Sequence, residues 1–577
     1  MCVEQNSRKT TSVDTVASLN RRLFFESFPL SVLFLLLGMI LSFLLFGFWS
    51  PYWNKGTSNL ISVYEALLYN DHLPQEFFWY PSYLSPQLLG LWYRVLHLVG
   101  LIPPYKLSDL PALTTAPVFD ATWQNFVTWG RLQSFVIGCV YVCLVTVLIR
   151  RLIRMWQIAV LAGVALAFSD GIALAYRIMR SELLSSALVF LALLLTLIAA
   201  REGPNGRRFL NLGLAALLVS LSLTEKVQAL LPALTIPVIA LAFGKDERDA
   251  SASAVSQGAW LRAVILCSLG LVLVVPTIGL VEDGLTGMAS SHLFQYRPLF
   301  ANWPGLYQWL LVAYVAFGMV LYASIWRVRP LDTALGLMAV LVGLALGLLA
   351  LYGRYDLNVV IPVVNPVEHL HAVSGSPGAN LPTTSIAMLA SQFLTGLGKA
   401  LAVHTFFLSP SHRPTLLIEW LAIYAALLIW RRGEKQVALQ IGVILVAGFA
   451  VDVSFTLRTM KIYYAPYTDP FIVLAGAIAL TQFSSELMGL RAQRAILASV
   501  LAYVIWGNVE SYRATYGEHS KGKVCGVAAQ FVRRVSIPNC QSAKHSVGDN
   551  RSHQVSGSAD HSNESLLLQA QNHVFHA

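Results

Sequence analysis

Charged residues are scarce in this chain, and their scarcity excludes a soluble globular protein. Asp, Glu, Lys and Arg make up 12% of the 577 residues, and 56% of the residues are hydrophobic. Soluble domains usually carry about 25% charged residues. The charges also gather in short clusters between long uncharged runs. Because about 20 apolar residues suffice to cross a bilayer as a helix, these runs predict membrane-spanning helices.

Other patterns are missing as well. The apolar runs lack the strict polar–apolar alternation of transmembrane strands, which argues against a β-barrel. No internal repeat is evident, which weakens, without excluding, a transporter built from inverted repeats. The net charge is +10, but the basic residues are dispersed among loops, so nucleic acid is not an expected partner. We therefore predict an all-α polytopic membrane protein.

Cysteine is rare, and its placement predicts no metal site. Cys139, Cys143 and Cys267 lie within apolar runs, where cysteine acts as a small packing residue. Cys525 and Cys540 lie in a polar C-terminal region and are expected to form a disulfide if that region faces an oxidising compartment. The histidines of the same region are spaced too irregularly to suggest metal ligands.

Hydropathy predicts about thirteen transmembrane helices. The first, from Pro29 to Trp49, is expected to be an uncleaved signal anchor, because it is too long for the core of a signal peptide and lacks a small-residue cleavage site. The chain then divides into an N-terminal arm (1–28), a transmembrane domain (29–510) and a polar, partly disordered tail (511–577). The predicted spans begin near Pro29, Leu132, Gln157, Leu183, Leu210, Val227, Ala263, Leu306, Thr333, Thr415, Val437, Phe471 and Ala495.

Lys and Arg cluster in the N-terminal arm and in every second connection between the predicted spans, which predicts the orientation. Such residues favour the cytoplasmic side, so we expect the N-terminus there and the C-terminus outside. Two long connections, 50–130 and 353–413, then lie outside. Within the first, polar residues at helical spacing predict a helix from Pro86 to Gly100. This helix either lies in the membrane interface or caps an outer domain.

Basic residues also stand at the predicted outer ends of several spans. If these ends converge, they form a pocket for the phosphate of a lipid carrier, which Arg in particular binds through charge-assisted hydrogen bonds. The alternative is that unrelated basic side chains extend separately to the interface. The candidates are Arg131, Arg177, Arg180, Lys226, Arg458 and Lys461.

Carboxylates in the first outer connection are candidates for catalysis. Glu65 and Asp71 are the strongest of them, and Glu76 follows. A carboxylate can take the proton of an acceptor hydroxyl during sugar transfer, or it can hold a divalent metal. The alternative is that these residues are solvated loop acids.

Four stretches resemble a known family. They are WGRLQSFVIGCVYVCLVTVLIRRL (Trp129–Leu152), RIMRSELLSSALVFLALLL (Arg177–Leu195), LSLTEKVQALLPALTIP (Leu221–Pro237) and KIYYAPYTDPFIVLAGAIAL (Lys461–Leu480). In this order they resemble the GT-C membrane glycosyltransferases, particularly bacterial relatives of the dolichyl-phosphate-mannose protein mannosyltransferases and of the aminoarabinose transferases that act on lipid A. The resemblance implies a polyprenyl-phosphate sugar donor, a lipid, glycan or protein acceptor, and a bacterial inner membrane.

The chain departs from this family where an acidic residue, often Asp-Glu, follows the first span. The corresponding stretch holds Asn54, Lys55, Ser58 and Asn59. Three alternatives stay open: Glu65 or Asp71 performs the role, catalysis differs, or this relative is inactive. A transporter or flippase of a lipid-linked glycan is the alternative function, and a membrane scaffold without a pocket is a third.

Glu65→Gln combined with Asp71→Asn tests the proposed catalytic role. An amide cannot accept the acceptor's proton, so we expect membranes containing the double variant to lose sugar transfer from the true donor. Transfer at the wild-type rate would exclude both carboxylates as the catalytic base.

Overall fold

The computed structural model describes most of the chain from residue 28 to residue 516. The described ranges are 28–54, 56–76, 82–102, 104–110, 116–202, 206–245, 306–352, 386–405, 413–456, 464–484 and 489–516, with short pieces in 265–279, 361–370 and 532–535. Within them all regular structure is helical, in agreement with the predicted all-α class. The arm before residue 28, most of the connection 353–413, Arg458, Lys461, Cys525 and Cys540 lie outside the described residues.

Sixteen principal helices are described, together with a π-helical turn (Leu44–Phe48), a 3₁₀ turn (Val227–Ala229) and a one-turn helix (Ile361–Val364). The helices are α1 (Phe28–Phe43), α2 (Gly56–Asn70), α3 (Leu84–Leu98), α4 (Ala116–Ile153), α5 (Trp156–Ala167), α6 (Asp170–Arg177), α7 (Ser181–Arg201), α8 (Gly206–Glu225), α9 (Leu230–Leu241), α10 (Leu306–Trp326), α11 (Pro330–Tyr352), α12 (Ile386–His404), α13 (Thr415–Arg431), α14 (Lys435–Thr456), α15 (Ala465–Gln482) and α16 (Leu490–Tyr516).

Eight helices of the described residues are long and apolar enough to cross a membrane, and a ninth span results if α5 and α6 are counted together. Twelve of the thirteen predicted span positions carry a helix, and the position near Ala263 lies outside the described residues. Four of the twelve, α5, α9, α13 and α15, do not qualify as spans by themselves, and α5 qualifies only together with α6. α9 and α13 are short, and α15 begins with a polar, proline-containing turn that includes Asp469.

The centre of the bundle is α7, which packs against α4, α8, α9 and α15. Fifteen residues of α7 are buried, on all sides of the helix. A helix that is apolar all round is stable only when other helices or lipid surround it. α7 therefore lies inside the bundle, whereas 0% of the α10 span and 11% of the α16 span are buried within the described structure, as expected of lipid-facing helices.

The connection between α1 and α4 folds as a separate layer, which we call the outer cap after the side of the membrane predicted for it. It consists of α2, α3 and the first part of α4, and its apolar core includes Tyr64, Tyr93 and Trp123. α4 has 38 residues and is therefore about 57 Å long. This exceeds the roughly 30 Å hydrocarbon thickness of a bilayer, so α4 belongs to both the cap and the bundle.

α5 and α6 form a broken helix, bent by 62°. Gly171, in the first turn of α6, faces the backbone at the start of α15. A Cβ atom added at Gly171 would lie 2.7 Å from the nitrogen of Pro466 and 2.8 Å from the carbonyl carbon of Ala465. This close approach of two backbones brings the break beside the polar start of α15.

Gly171→Ala tests this close approach. Backbone atoms cannot move aside as a flexible side chain can, so we expect a loss of about 1–3 kcal/mol in unfolding free energy. Gly442→Ala is the matched control, since no atom lies within 4 Å of the added Cβ in α14. The control should be neutral or stabilising by up to about 1 kcal/mol. Thermal unfolding in detergent measures both, and equal behaviour of the two variants would contradict the packing.

Candidate functional site

Arg131 joins the cap to the bundle. It lies on α4 with no exposed surface, and its guanidinium donates hydrogen bonds to the carbonyl oxygens of Gly47, Ser50, Pro51 (2.9 Å) and Asn54 (3.3 Å). The last carbonyls of a helix have no partner within the helix, and positive charge is favourable there. Arg131 supplies both the hydrogen-bond donors and the positive charge where the π-helical turn after α1 ends. The structure therefore places this predicted phosphate-binding residue against backbone carbonyls.

Arg180, Glu182 and Lys226 form a buried ionic group, which we call the junction trio. Lys226 Nζ lies 3.4 Å from Glu182 Oε1, and Arg180 Nη1 lies 3.9 Å from the same oxygen. The Lys226 and Glu182 side chains are 4% and 8% exposed, whereas that of Arg180 is 17% exposed. The two bases and one acid have a net charge of +1. The structure thus brings together two of the six predicted phosphate-binding residues.

The outer cap rests directly on this trio. Glu225, the neighbour of Lys226, accepts hydrogen bonds from the backbone N–H groups of Leu84 (3.1 Å) and Ser85 (2.9 Å) and from the Ser85 hydroxyl. A carboxylate at a helix N-terminus satisfies N–H groups that have no partner within the helix. On the other side of the trio, Met179 packs into the core of the cap and donates its N–H to Asn59 at 3.3 Å.

Arg177 occupies a separate pocket in the bundle. Its guanidinium donates to the hydroxyls of Ser42 (2.6 Å) and Ser511 (2.7 Å) and to the side-chain oxygen of Asn508. The guanidinium also lies 5.0 Å from the centre of the Phe46 ring. Arg177 is fully buried and connects α6 to α1 and α16. The structure does not group Arg177 with the junction trio.

The two predicted catalytic acids lie apart, and each is engaged within the cap. Glu65 is 4% exposed on α2 and accepts the backbone N–H of Glu76 at 3.3 Å. Asp71 accepts the backbone N–H (2.7 Å) and the hydroxyl (2.8 Å) of Ser108. Both carboxylates therefore hold loops of the cap in place, and whether either also reaches a substrate stays a prediction.

Glu76 connects the cap to the polar tail. It accepts a hydrogen bond from the Tyr64 hydroxyl (2.7 Å) and one from the Arg534 guanidinium (2.5 Å). Burial and the hydrogen bond to Glu76 raise the pKa of Tyr64, so the phenol keeps its proton. Val532 is 2% exposed and belongs to the core of the cap. Residues 532–535 and the first long connection therefore lie on the same side of the bundle.

Asn54 and Asn59 stand where the resembled family carries an acid, and both are buried. Asn54 donates to the Ser50 hydroxyl at 3.1 Å, and Asn59 donates to the Asn54 carbonyl at 3.0 Å. These contacts stabilise the turn between α1 and α2. The two amides therefore have a structural role at the position where the GT-C enzymes carry an acidic residue.

A second ionic group lies at the predicted outer ends of α13, α14 and α15. We call it the acid network, and its members are His404, Arg413, Glu419, Asp452 and Asp469. His404 contacts Glu419 through Nδ1 (2.7 Å) and Asp452 through Nε2 (2.8 Å). Arg413 lies 3.6 Å from Asp452 and 3.5 Å from Asp469. All five side chains are at least nine-tenths buried.

Sequence reasoning missed the acid network, although a signal existed. Asp170, Glu419, Asp452 and Asp469 are each isolated acids within or beside an apolar run. An ionisable residue at such a position is costly and is a functional candidate by default. Basic residues at span ends give a stronger sequence signal because they recur in clusters.

The described residues contain no group of three or more His, Cys, Asp or Glu side chains that could hold a metal ion. Glu65 and Asp71, which were considered as metal ligands, have separate partners. A divalent metal in the site therefore stays a prediction without assigned ligands.

Arg131→Met tests whether this residue is structural. The substitution keeps an apolar stem but removes the donors to buried carbonyls, so we expect a loss of about 3 kcal/mol or more in unfolding free energy. Arg151→Met is the control, because its partly exposed ion pair to Glu202 contributes at most about 1 kcal/mol. Thermal unfolding and proteolysis of the outer cap measure the effect. Wild-type stability with weakened lipid-phosphate binding would instead make Arg131 a ligand-binding residue.

No protein-family model, curated protein or solved structure matches the chain. The resemblance to GT-C glycosyltransferases accordingly rests on the four sequence stretches and their order.

Proposed function

We propose that this protein is a membrane glycosyltransferase similar to the GT-C enzymes. It transfers a sugar from a polyprenyl-phosphate donor to a lipid, glycan or protein acceptor on the extracytoplasmic face. The junction trio is the observation that carries this proposal: Arg180 and Lys226 share one carboxylate beneath the outer cap, at the outer ends of α7 and α8.

Three properties make the junction trio suitable for a lipid phosphate. Two of its three members are bases, which complements a phosphate anion, and the neighbouring Glu225 carboxylate is already bound to the start of α3. Its position in an apolar bundle strengthens the electrostatic attraction relative to water. Arg180 is the most exposed member and offers a planar guanidinium, which binds phosphate oxygens in a bidentate manner. Arg458 and Lys461, predicted for the same pocket, lie outside the described residues.

In the proposed reaction, charge develops on the phosphate as the sugar leaves. Arg180 and Lys226 stabilise that charge because both are already fixed by Glu182 before the reaction begins. Glu182 therefore acts as a positioning residue. Glu65 or Asp71 takes the acceptor's proton, with a divalent metal as an alternative role for either. An inactive relative that binds the lipid phosphate without transfer is the remaining alternative.

The membrane arrangement is part of the proposal. We infer thirteen spans in a bacterial inner membrane, with the N-terminus in the cytoplasm and the cap and tail outside. α3 supports an interfacial position for the cap, since Leu91, Val95 and Leu98 are 56%, 45% and 83% exposed along one face. An exposed apolar stripe on an otherwise packed helix fits the boundary between headgroups and acyl chains.

A transporter or flippase of a lipid-linked glycan is the second candidate, and the broken helix α5–α6 favours it. Discontinuous helices with a buried charged residue at the break form substrate and ion sites in many transporters. Asp170 stands at this break, fully buried. The same junction trio would then bind the lipid phosphate without cleaving the sugar.

Glu182→Gln combined with Lys226→Met tests the phosphate site and removes both members of the buried Lys226–Glu182 ion pair. A charge-assisted hydrogen bond contributes about 1.5–3 kcal/mol, so we expect roughly tenfold or greater loss in affinity for a synthetic long-chain polyprenyl phosphate. Isothermal titration calorimetry on detergent-solubilised protein measures the affinity. The matched control is Arg151→Met with Glu202→Gln, a charge pair at the other end of α7.

Unchanged affinity in the Glu182/Lys226 variant, at wild-type stability, would contradict the proposed site. Binding by the wild type that is accompanied by sugar transfer in membranes supports the transferase. Binding accompanied by movement of lipid-linked glycan across a vesicle bilayer, with no transfer, identifies the transporter instead.

A further inference from the structure

Asp170 is buried, and the described part of the chain provides its carboxylate with no hydrogen-bond partner. It begins α6 directly after the break in the α5–α6 helix and has no exposed surface. Among the described residues, neither of its carboxylate oxygens has a hydrogen-bond partner. An ionised carboxylate in such surroundings is strongly unfavourable, because burial removes its hydration and no donor replaces the water.

A second carboxylate, Asp469, lies within electrostatic range of Asp170. Asp469 is also fully buried. One of its oxygens accepts a hydrogen bond from the Thr415 hydroxyl (2.8 Å) and lies 3.5 Å from Arg413, while the other has no partner among the residues that the structure describes. The backbone crossing at Gly171 fixes the distance between the two elements, since α6 cannot move away from α15 without opening the bundle.

An independent observation points to the same place. The Tyr141 hydroxyl, on α4, is in electrostatic range of Asp469 and is 98% buried, yet it has no hydrogen-bond partner in the described part of the chain. Buried hydroxyls are normally hydrogen-bonded. Three side chains from three different helices thus carry polar atoms that lack a partner among the described residues, and Asp170 and Tyr141 both lie within electrostatic range of Asp469.

The charges around the pair do not balance. Asp170, Asp469, Asp452 and Glu419 are four carboxylates, whereas the acid network contains two bases, Arg413 and His404. Even with His404 charged, two negative charges remain in excess. The other charged groups that face Asp170 are Arg177 on α6 and Glu510 on α16, which cancel each other. Tyr503 of α16 also faces both carboxylates.

We propose that the Asp170–Asp469 pair binds an exchangeable proton. Water delivers the proton as hydronium, one carboxylate oxygen forms an O–H bond, and the pair retains one negative charge opposite Arg413. Protonation removes one uncompensated buried charge without requiring any additional ligand. Chains of Asp, Glu and His in membrane proteins commonly carry protons, and the acid network continues this pair as far as His404.

The proton makes stability depend on pH with a defined sign. The folded chain holds the proton at pH values where an unfolded carboxylate, with a pKa near 3.9, has lost it. Because the folded state then binds more protons, unfolding free energy falls as the pH rises. Asp170→Asn weakens the dependence, since an amide of the same shape cannot ionise.

Infrared difference spectroscopy of the full-length protein in lipid nanodiscs, titrated with acid and base, tests the proposal. We expect the wild type to show a protonated-carboxyl C=O band that disappears as the pH is raised. Asp170→Asn should abolish this titrating band, and Asp109→Asn, which replaces an exposed cap carboxylate, should retain it. Melting temperature measured over the same pH range should fall for the wild type and for Asp109→Asn, and stay flatter for Asp170→Asn.

Asp469→Asn provides a second variant if Asp170→Asn does not fold. It should shift the pH at which the band disappears, because the like charge next to Asp170 is removed. A wild-type band that both variants leave unchanged would overturn the proposal. So would a melting temperature that responds to added Na⁺ or K⁺ but not to pH, since that result would assign the pair to a metal cation.

Discussion

A charge inside an apolar helical bundle costs several kcal/mol unless an opposite charge or hydrogen-bond donors surround it. This constraint governs the outer end of the protein. Arg131 meets it with four carbonyl oxygens left over at the end of the first span and the turn that follows. Arg177 meets it with hydroxyl and amide oxygens. The outer cap contacts the bundle through Arg131, which binds the turn after the first span, and through Glu225, which binds the start of α3.

The two ionic groups meet the same constraint in opposite ways. The junction trio has one carboxylate for two bases, and the neighbouring Glu225 carboxylate is bound to the start of α3, so the trio suits an anion. The acid network has more carboxylates than bases, so it retains negative charge and suits a proton. Tyr467, on α15, lies within electrostatic range of Glu182 and Glu225, and Asp469 of the acid network follows two residues later on the same helix. The proposed lipid-phosphate site and the proposed proton site are therefore connected through a single helix.

The sequence predicted the positions of many residues of the candidate site, but few of the contacts between them. The sequence placed Arg180 and Lys226 at the outer ends of neighbouring spans, which the described helices bring within reach of one carboxylate. It also placed Arg131 and Arg177 there, but these two bind groups of the protein itself. The difference depends on which neighbour packs within about 4 Å. Hydropathy along one segment contains no information about that neighbour.

The sequence by itself determined the helical class, the membrane setting and the positions of most helices, because a bilayer requires about 20 apolar residues with internally paired backbones. It also determined the helical nature of the segment near residues 84–98. Only the tertiary structure decided where a helix breaks, at Asp170, and which carboxylates meet. These depend on contacts such as that of Gly171 with Pro466, which join residues almost 300 positions apart and arise only when the bundle closes.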